Sequence, residues 1–340
     1  MTYVILGTGS DLPARVVTND EIERTTGYDR ERAGVGLHEW VMARAGVASR
    51  HRLAPGEGTT DMALRAALRA LDDAEVAVEE IDLIVLGTFT SDARLPSTVS
   101  QLAARLHSTA KCLQLETACT GFIDGLLVAT SLLARGTCHT ALVVVTEAMS
   151  AIVDDQQFMY QTVFGDGAGA VVVRDLPGSA HGIEAHVTHT DASVCEWTWA
   201  PGGGTLHPVT AEVLAERSQY LRMDHRSIYR FAVEKMVDAT HEVLNARDLT
   251  IDDVDWLVPH QTGSNIIAEV VERLKFPPER VVTSLDHTGN VSGASVVIAL
   301  DEAQRAGRFA TGDRVVVPVV GAGMAWGAIS MLWRRPRSAA

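Results

Sequence analysis

Three segments of the chain carry side chains that could do covalent chemistry. Cys119 sits in LETACTGFIDGLLVA, where an extended segment breaks into an apolar helix. At a helix start the macrodipole and the free N–H groups favour a thiolate, the nucleophilic form of cysteine. That position, with the small neighbours Ala118, Thr120 and Gly121, favours a nucleophile over a small buried hydrophobe. Cys112, Cys138 and Cys195 have no such setting and are read as structural. His260 follows Val258 and Pro259 at the mouth of an apolar strand. There it can donate to a carbonyl oxygen or shuttle a proton, although alone it reads as a satisfied structural histidine. Asn290, in DHTGNVSGAS, reads by itself as a helix cap or turn residue.

The elements that must position these residues alternate along the chain. Strands are expected at 3–7, 84–87, 141–146, 168–173, 256–258, 315–320 and 328–332, with amphipathic helices at 60–71 and 228–244. Strands separated by helices imply an α/β fold with mostly parallel sheets. Runs such as ALVVVT and RVVVPVV are apolar throughout, which suits sheets covered on both faces.

The chain also repeats itself. IDLIVLGTFT at 81–90 resembles VDWLVPHQTG at 254–263, 173 residues on. The segment from Cys119 through RGTCHTALVVV resembles that from Asn290 through AGRFATGDRVVV, 171 residues on. Two Gly-rich turns, GDGAGAVVVRD and GMAWGAISMLW, each enter a strand. Two halves of similar plan, 1–176 and 177–340, are therefore expected. The repeat sets Cys119 opposite Asn290 and brings His260 to the same end, where parallel α/β sheets gather their sites.

Composition narrows the function. The 340 residues are 46% apolar and 21% charged, with a net charge of −14, so no nucleic acid or anionic membrane surface is expected as partner. Four cysteines without a CxxC pair make neither a disulfide scaffold nor a metal site. The opening MTYVILGTGS shows no basic region or cleavage site, and no stretch of 18 apolar residues occurs. A soluble cytoplasmic protein is expected.

Together the segments resemble the ketosynthase III family of the thiolase fold. TACTGF carries its nucleophile pattern, VPHQTGSNII its histidine pattern and GNVSGAS its asparagine pattern. FGDGAGAVV at 164–172, VGAGMAWGAI at 320–329 and EWVMARAGV at 39–47 match three more motifs, in family order and spacing. The resemblance implies two pseudo-duplicated halves in a layered αβαβα arrangement, a homodimer, no cofactor and no metal. It implies Cys119 as acyl acceptor, and His260 and Asn290 as donors to the thioester carbonyl of a malonyl group losing CO₂. The N–H groups of Cys119 and Ala322 would hold the tetrahedral oxyanion. The partners implied are acyl-CoA or acyl-carrier-protein thioesters and the carrier protein itself.

Several positions depart from the family pattern. Asn265 and Phe158 stand where arginines are common, although Trp40 and Arg44 match residues that contact coenzyme A. Arginine forks suit phosphate, so these losses point away from tight coenzyme A binding. Trp40 reads equally as an adenine-stacking residue or as core. Ala322 replaces a glycine, Val320 a phenylalanine, and Leu95 a bulky aromatic that reaches across the dimer. Phe164, at the head of the first Gly-rich turn, belongs with the substrate contacts. The 27–36 stretch is longer than usual. These changes suggest polyketide or other specialised metabolism. The apolar ALVVVT strand is expected at the centre of dimer pairing. Two other readings remain: transfer of the acyl group from Cys119 to a hydroxyl or amine, and a non-catalytic partner subunit. A hydroxymethylglutaryl-type synthase would need a glutamate near the end of the 84–90 strand, and GTFTSDARLP has none.

Overall fold

The computed structural model describes residues 2–334. Its first strands are β1 (Tyr3–Asp11), β2 (Arg15–Thr18), β3 (Ser49–Arg52), β4 (Leu83–Gly87), β5 (Lys111–Leu115), β6 (Thr140–Ala148) and β7 (Asp166–Asp175). There follow β8 (Gly182–Thr190), β9 (Thr198–Trp199), β10 (Arg222–Met223), β11 (Trp256–Leu257), β12 (Arg314–Gly321) and β13 (Ala325–Leu332). The first large sheet runs β1-β7-β6-β4-β5 and the second β8-β13-β12-β11. Their plans repeat. In the first, β1–β7 and β7–β6 are antiparallel, whereas β6–β4 and β4–β5 are parallel. In the second, β8–β13 and β13–β12 are antiparallel and β12–β11 is parallel. A lone parallel bridge from Leu257 to Val281 stands where the first sheet has β5.

Both sheets are therefore mixed, which corrects the expectation of mostly parallel pairing. Only residues 322–324 separate β12 from β13. A parallel crossover needs a dozen residues or more, so that turn makes a hairpin.

Side-chain alternation builds the layers. On β6, Leu142 and Val144 face an outer cluster with Met62, Ala66 and Leu102 of the Thr59–Ala74 and Thr98–Arg105 helices. Val143 and Val145 face inward, onto Phe122 and Leu126 of the Gly121–Ala134 helix. On β12, Val315, Val317 and Val319 face the same inner cluster, which also holds Val297 and Leu300 of the Ala294–Arg305 helix. Val316 and Val320 face the outer His225–Asn245 and Ser264–Leu274 helices. The order is helix, sheet, helix pair, sheet, helix: the thiolase-like αβαβα arrangement. The two central helices are covered by both sheets over much of their surface, which suits the largely apolar Gly121–Ala134 helix, although Leu127, Ser131 and Ala134 stay exposed.

The ALVVVT strand cannot pair across a two-fold axis, because β7 and β4 already flank β6. The edges of the first sheet are β1 and β5, the latter a strand that composition did not reveal.

Candidate active site

Cys119 occupies a short turn, Ala118–Thr120, between β5 and the Gly121–Ala134 helix. Ala118 holds φ at +48°, a left-handed backbone that a non-glycine residue keeps only where its surroundings enforce it. The second Gly-rich turn lies against the nucleophile. A Cβ on Gly321 would stand 3.0 Å from both the Cβ and the nitrogen of Cys119, so only glycine lets the strand end approach so closely. The N–H groups of Cys119 and Ala322 both reach the Cys119 sulfur, and the Ser292 hydroxyl donates to it at 3.4 Å.

His260 follows the end of β11, with its N–H on the Pro318 carbonyl at 2.9 Å. Gln261 fixes this turn, donating to the Pro259 carbonyl at 2.6 Å and accepting from the Ser284 N–H at 3.0 Å. Asn290 lies where the halves cross. Its N–H donates to the Val163 carbonyl at 2.8 Å, and its carbonyl accepts from Gly165 at 3.1 Å. Its side-chain Oδ1 accepts the Ser292 N–H at 2.8 Å, which leaves the Nδ2 hydrogens as the free donors.

All three residues line one cavity of about 430 Å³. Burial sets their charge states. Cys119 borders the cavity and keeps some exposure, yet protein surrounds it, and that burial pushes its thiol up to about 11. The nearby Glu147 carboxyl adds to the rise, while the Ser292 hydroxyl and the two N–H groups oppose it. The expectation of a helix-start thiolate is thus corrected: desolvation outweighs the helix end, and the resting thiol is neutral. His260, 1% exposed, is taken down to about 4 by burial and is also neutral. The cavity therefore presents a protonated thiol, a neutral imidazole, an amide donor and two backbone N–H groups on the sulfur.

Other anticipated residues divide. Phe164 and Val320 line the cavity, and Phe164 also bridges to Asn290. Trp40, Arg44, Leu95, Phe158 and Asn265 do not line it. Phe158 stands edge-on to both Trp40 and Tyr28, at 5.5 and 5.1 Å between ring centres. The Arg44 guanidinium lies over the Trp40 ring at 4.4 Å, and the half-buried ring packs against the outer cluster of the second sheet. Leu95 is 87% exposed. Sequence reasoning missed the apolar cluster of the cavity wall, built by Phe89, Met149, Ile152, Leu221 and Met223, and the lining residues His225 and Tyr229. It also missed Glu147, for which the signal was a lone acid closing the apolar run ALVVVTEA.

This constellation can be set beside known proteins. A profile described as 3-oxoacyl-[acyl-carrier-protein (ACP)] synthase III matches residues 113–192, and its C-terminal companion matches residues 244–333. Beta-ketoacyl-[acyl-carrier-protein] synthase III of Desulfitobacterium hafniense is 36% identical over 332 residues, covering 97% of this chain and 98% of that one. The chain belongs to the ketosynthase III family. Among solved structures, 3-oxoacyl-[acyl-carrier-protein] synthase III from Aquifex aeolicus superposes with a TM-score of 0.88 at 32% identity, covering 97% of this chain and 100% of that one. The priming beta-ketosynthase of the R1128 polyketide pathway gives the same TM-score and identity, over 98% and 97% of the two chains. As a ketosynthase III the chain is an enzyme of the acyltransferase class. Among the described residues no helix is long and apolar enough to cross a membrane.

Proposed function

We propose that this ketosynthase III condenses an acyl group held on Cys119 with a malonyl-type thioester on a carrier protein, with loss of CO₂. One observation carries the reading: the thiol, the two neutral donors and the two N–H groups meet in a single cavity. In the loading step the Cys119 sulfur attacks the donor thioester, His260 takes its proton, and the donor thiol leaves with a proton. The N–H groups of Cys119 and Ala322 meet the tetrahedral oxyanion. In the condensing step the malonyl C–C bond breaks and CO₂ departs. The electron pair left behind forms an enolate whose oxygen lies between His260 and the Asn290 amide. Its carbon then attacks the acyl-Cys119 carbonyl, and Cys119 leaves as a thiolate that takes a proton from solvent to regain its thiol. Neutral donors suit this step, since a carbonyl becoming an enolate gains negative charge without needing a strong base.

We further read the acyl donor as carrier-bound and the pathway as polyketide or other specialised metabolism. Phe158, where arginine is common, fills the space between Tyr28 and Trp40 with an aromatic edge. Arg226 and Arg230 are exposed one turn apart beside the cavity-lining His225 and Tyr229, and two such guanidinium groups suit the phosphodiester of a carrier's pantetheine arm. The chain is read as two halves, 1–176 and 177–340, and as a homodimer pairing through the β5 edge.

The test is release of labelled CO₂ from malonyl-carrier protein, followed alongside intact-mass loading of Cys119. Loading with CO₂ release and a 3-oxoacyl product supports condensation. Loading without CO₂ release, with the acyl group passing to an alcohol or amine, replaces it with simple transfer.

A further inference from the structure

One buried carboxyl near the site touches no reacting atom of the proposed condensation, although it adds to the rise of the Cys119 thiol. Glu147, next to last on β6, is 1% exposed, and its hydrogen-bond partners are all neutral. Its Oε2 accepts the Thr90 hydroxyl at 2.5 Å and the Thr88 hydroxyl at 3.1 Å, while Oε1 takes the Phe89 N–H at 3.3 Å. The Thr90 hydroxyl in turn accepts the Ala148 N–H at 2.9 Å, and the Thr88 hydroxyl accepts the Thr90 N–H at 3.1 Å. From the other side, the Thr59 hydroxyl holds the Thr90 carbonyl at 2.6 Å. Burial pushes Glu147 up to about 8, while the hydroxyl and N–H donors around its oxygens oppose that rise.

This network joins two segments that carry the apolar cluster of the cavity wall. Phe89 comes from the loop after β4, and Met149 and Ile152 follow directly on Glu147. All three pack in one small cluster with Phe164, Leu221 and Met223. An apolar residue at 147 would leave buried hydroxyl and N–H donors unpaired, and the loop would have to shift to satisfy them.

We propose that Glu147 is a positioning residue that sets acyl-chain selectivity by locking the Phe89 loop against the Met149–Ile152 wall. The proposal rests on the reading that Cys119 is acylated in this cavity. It concerns which chain fits; the effect of the Glu147 carboxyl on the Cys119 thiol falls equally on every chain length.

The experiment uses Glu147→Gln, which keeps size but can accept on only one side of its amide. Loading of Cys119 is followed by intact mass with straight-chain acyl-N-acetylcysteamine thioesters from acetyl to dodecanoyl. Fit of one methylene in an apolar pocket is worth roughly tenfold in rate, so the ratio between the best chain and its neighbours should change by about that factor. Phe89→Ala should change the profile too, and the double variant should match Phe89→Ala alone, because both act on one wall. Thr90→Val provides the same break without altering the acid, and Thr90→Ser should restore the wild-type profile. A uniform loss at every chain length, or additive effects in the double variant, would overturn the proposal. Failure of the wild type to load Cys119 at all would overturn the ketosynthase reading instead.

Discussion

The Ser292 hydroxyl donates to the Cys119 sulfur at 3.4 Å, across the junction of the two structural repeats. The same residue's N–H holds the Asn290 side chain at 2.8 Å. One residue thus touches the nucleophile with its side chain and orients a donor with its backbone. Because its hydroxyl helps lower the thiol's pKa, Ser292→Ala should raise it further. Loss of one such bond, on the order of 1 kcal/mol, slows thiol alkylation at pH 8 about fivefold. Iodoacetamide trapping across a pH series measures it; an unchanged profile would show that the hydroxyl does not reach the sulfur in solution.

Acylation should fall on Cys119 alone. Cys119→Ala should abolish both the mass shift and turnover. Cys138 is buried, whereas Cys195 is exposed and serves as the internal control. Peptide mapping that found the acyl label on Cys112 or Cys195 would refute the assignment.

Asn290→Ala should separate the two half-reactions. Removing one donor from an oxyanion site typically costs on the order of 10²–10³ in rate. Labelled CO₂ release should fall by that factor while acyl loading stays within about twofold, because the role proposed for Asn290 is at the malonyl carbonyl. Equal losses in both steps would mean that Asn290 shapes the cavity instead.

Glu147 makes stability depend on pH. Its folded value of about 8 lies above the ordinary 4.5, so between those values the folded chain holds a proton that the unfolded chain has released. Its contribution is full below pH 4.5 and declines as pH rises through 8, at up to about 1.4 kcal/mol per pH unit. Glu147→Gln has no proton to lose. Urea unfolding at pH 5, 7 and 9 should therefore show wild-type stability falling relative to the variant as pH rises. A constant difference would show that the buried acid is not protonated.

The chemistry-bearing residues were legible because each sits in a local pattern. Cys119 precedes an apolar helix, His260 follows a short apolar strand, and Asn290 falls in a small-residue turn one repeat away from Cys119. Local order and a 171-residue offset need no tertiary knowledge, and strands such as β6 and β12 announce themselves by being apolar on both faces. Elements with weaker signatures escaped. β5, KCLQL, lies half-exposed at a sheet edge, and β8, GIEAHVTHT, mixes histidines and a glutamate into its alternation.

The sequence alone determined the family plan, the repeat and the three residues on which the proposed chemistry draws. Tertiary structure decided their charge states and what surrounds them. A helix start argues for a thiolate, but only packing shows that burial overrides it at Cys119 and likewise keeps His260 neutral. The cavity wall draws Phe89, Met149, Leu221 and Met223 from segments far apart in the chain. Glu147 reaches the end of β4 from the neighbouring strand β6, where no scan of the loop itself could find it. Desolvation and long-range contact are sums over three-dimensional neighbours, and a linear pattern carries no term for either.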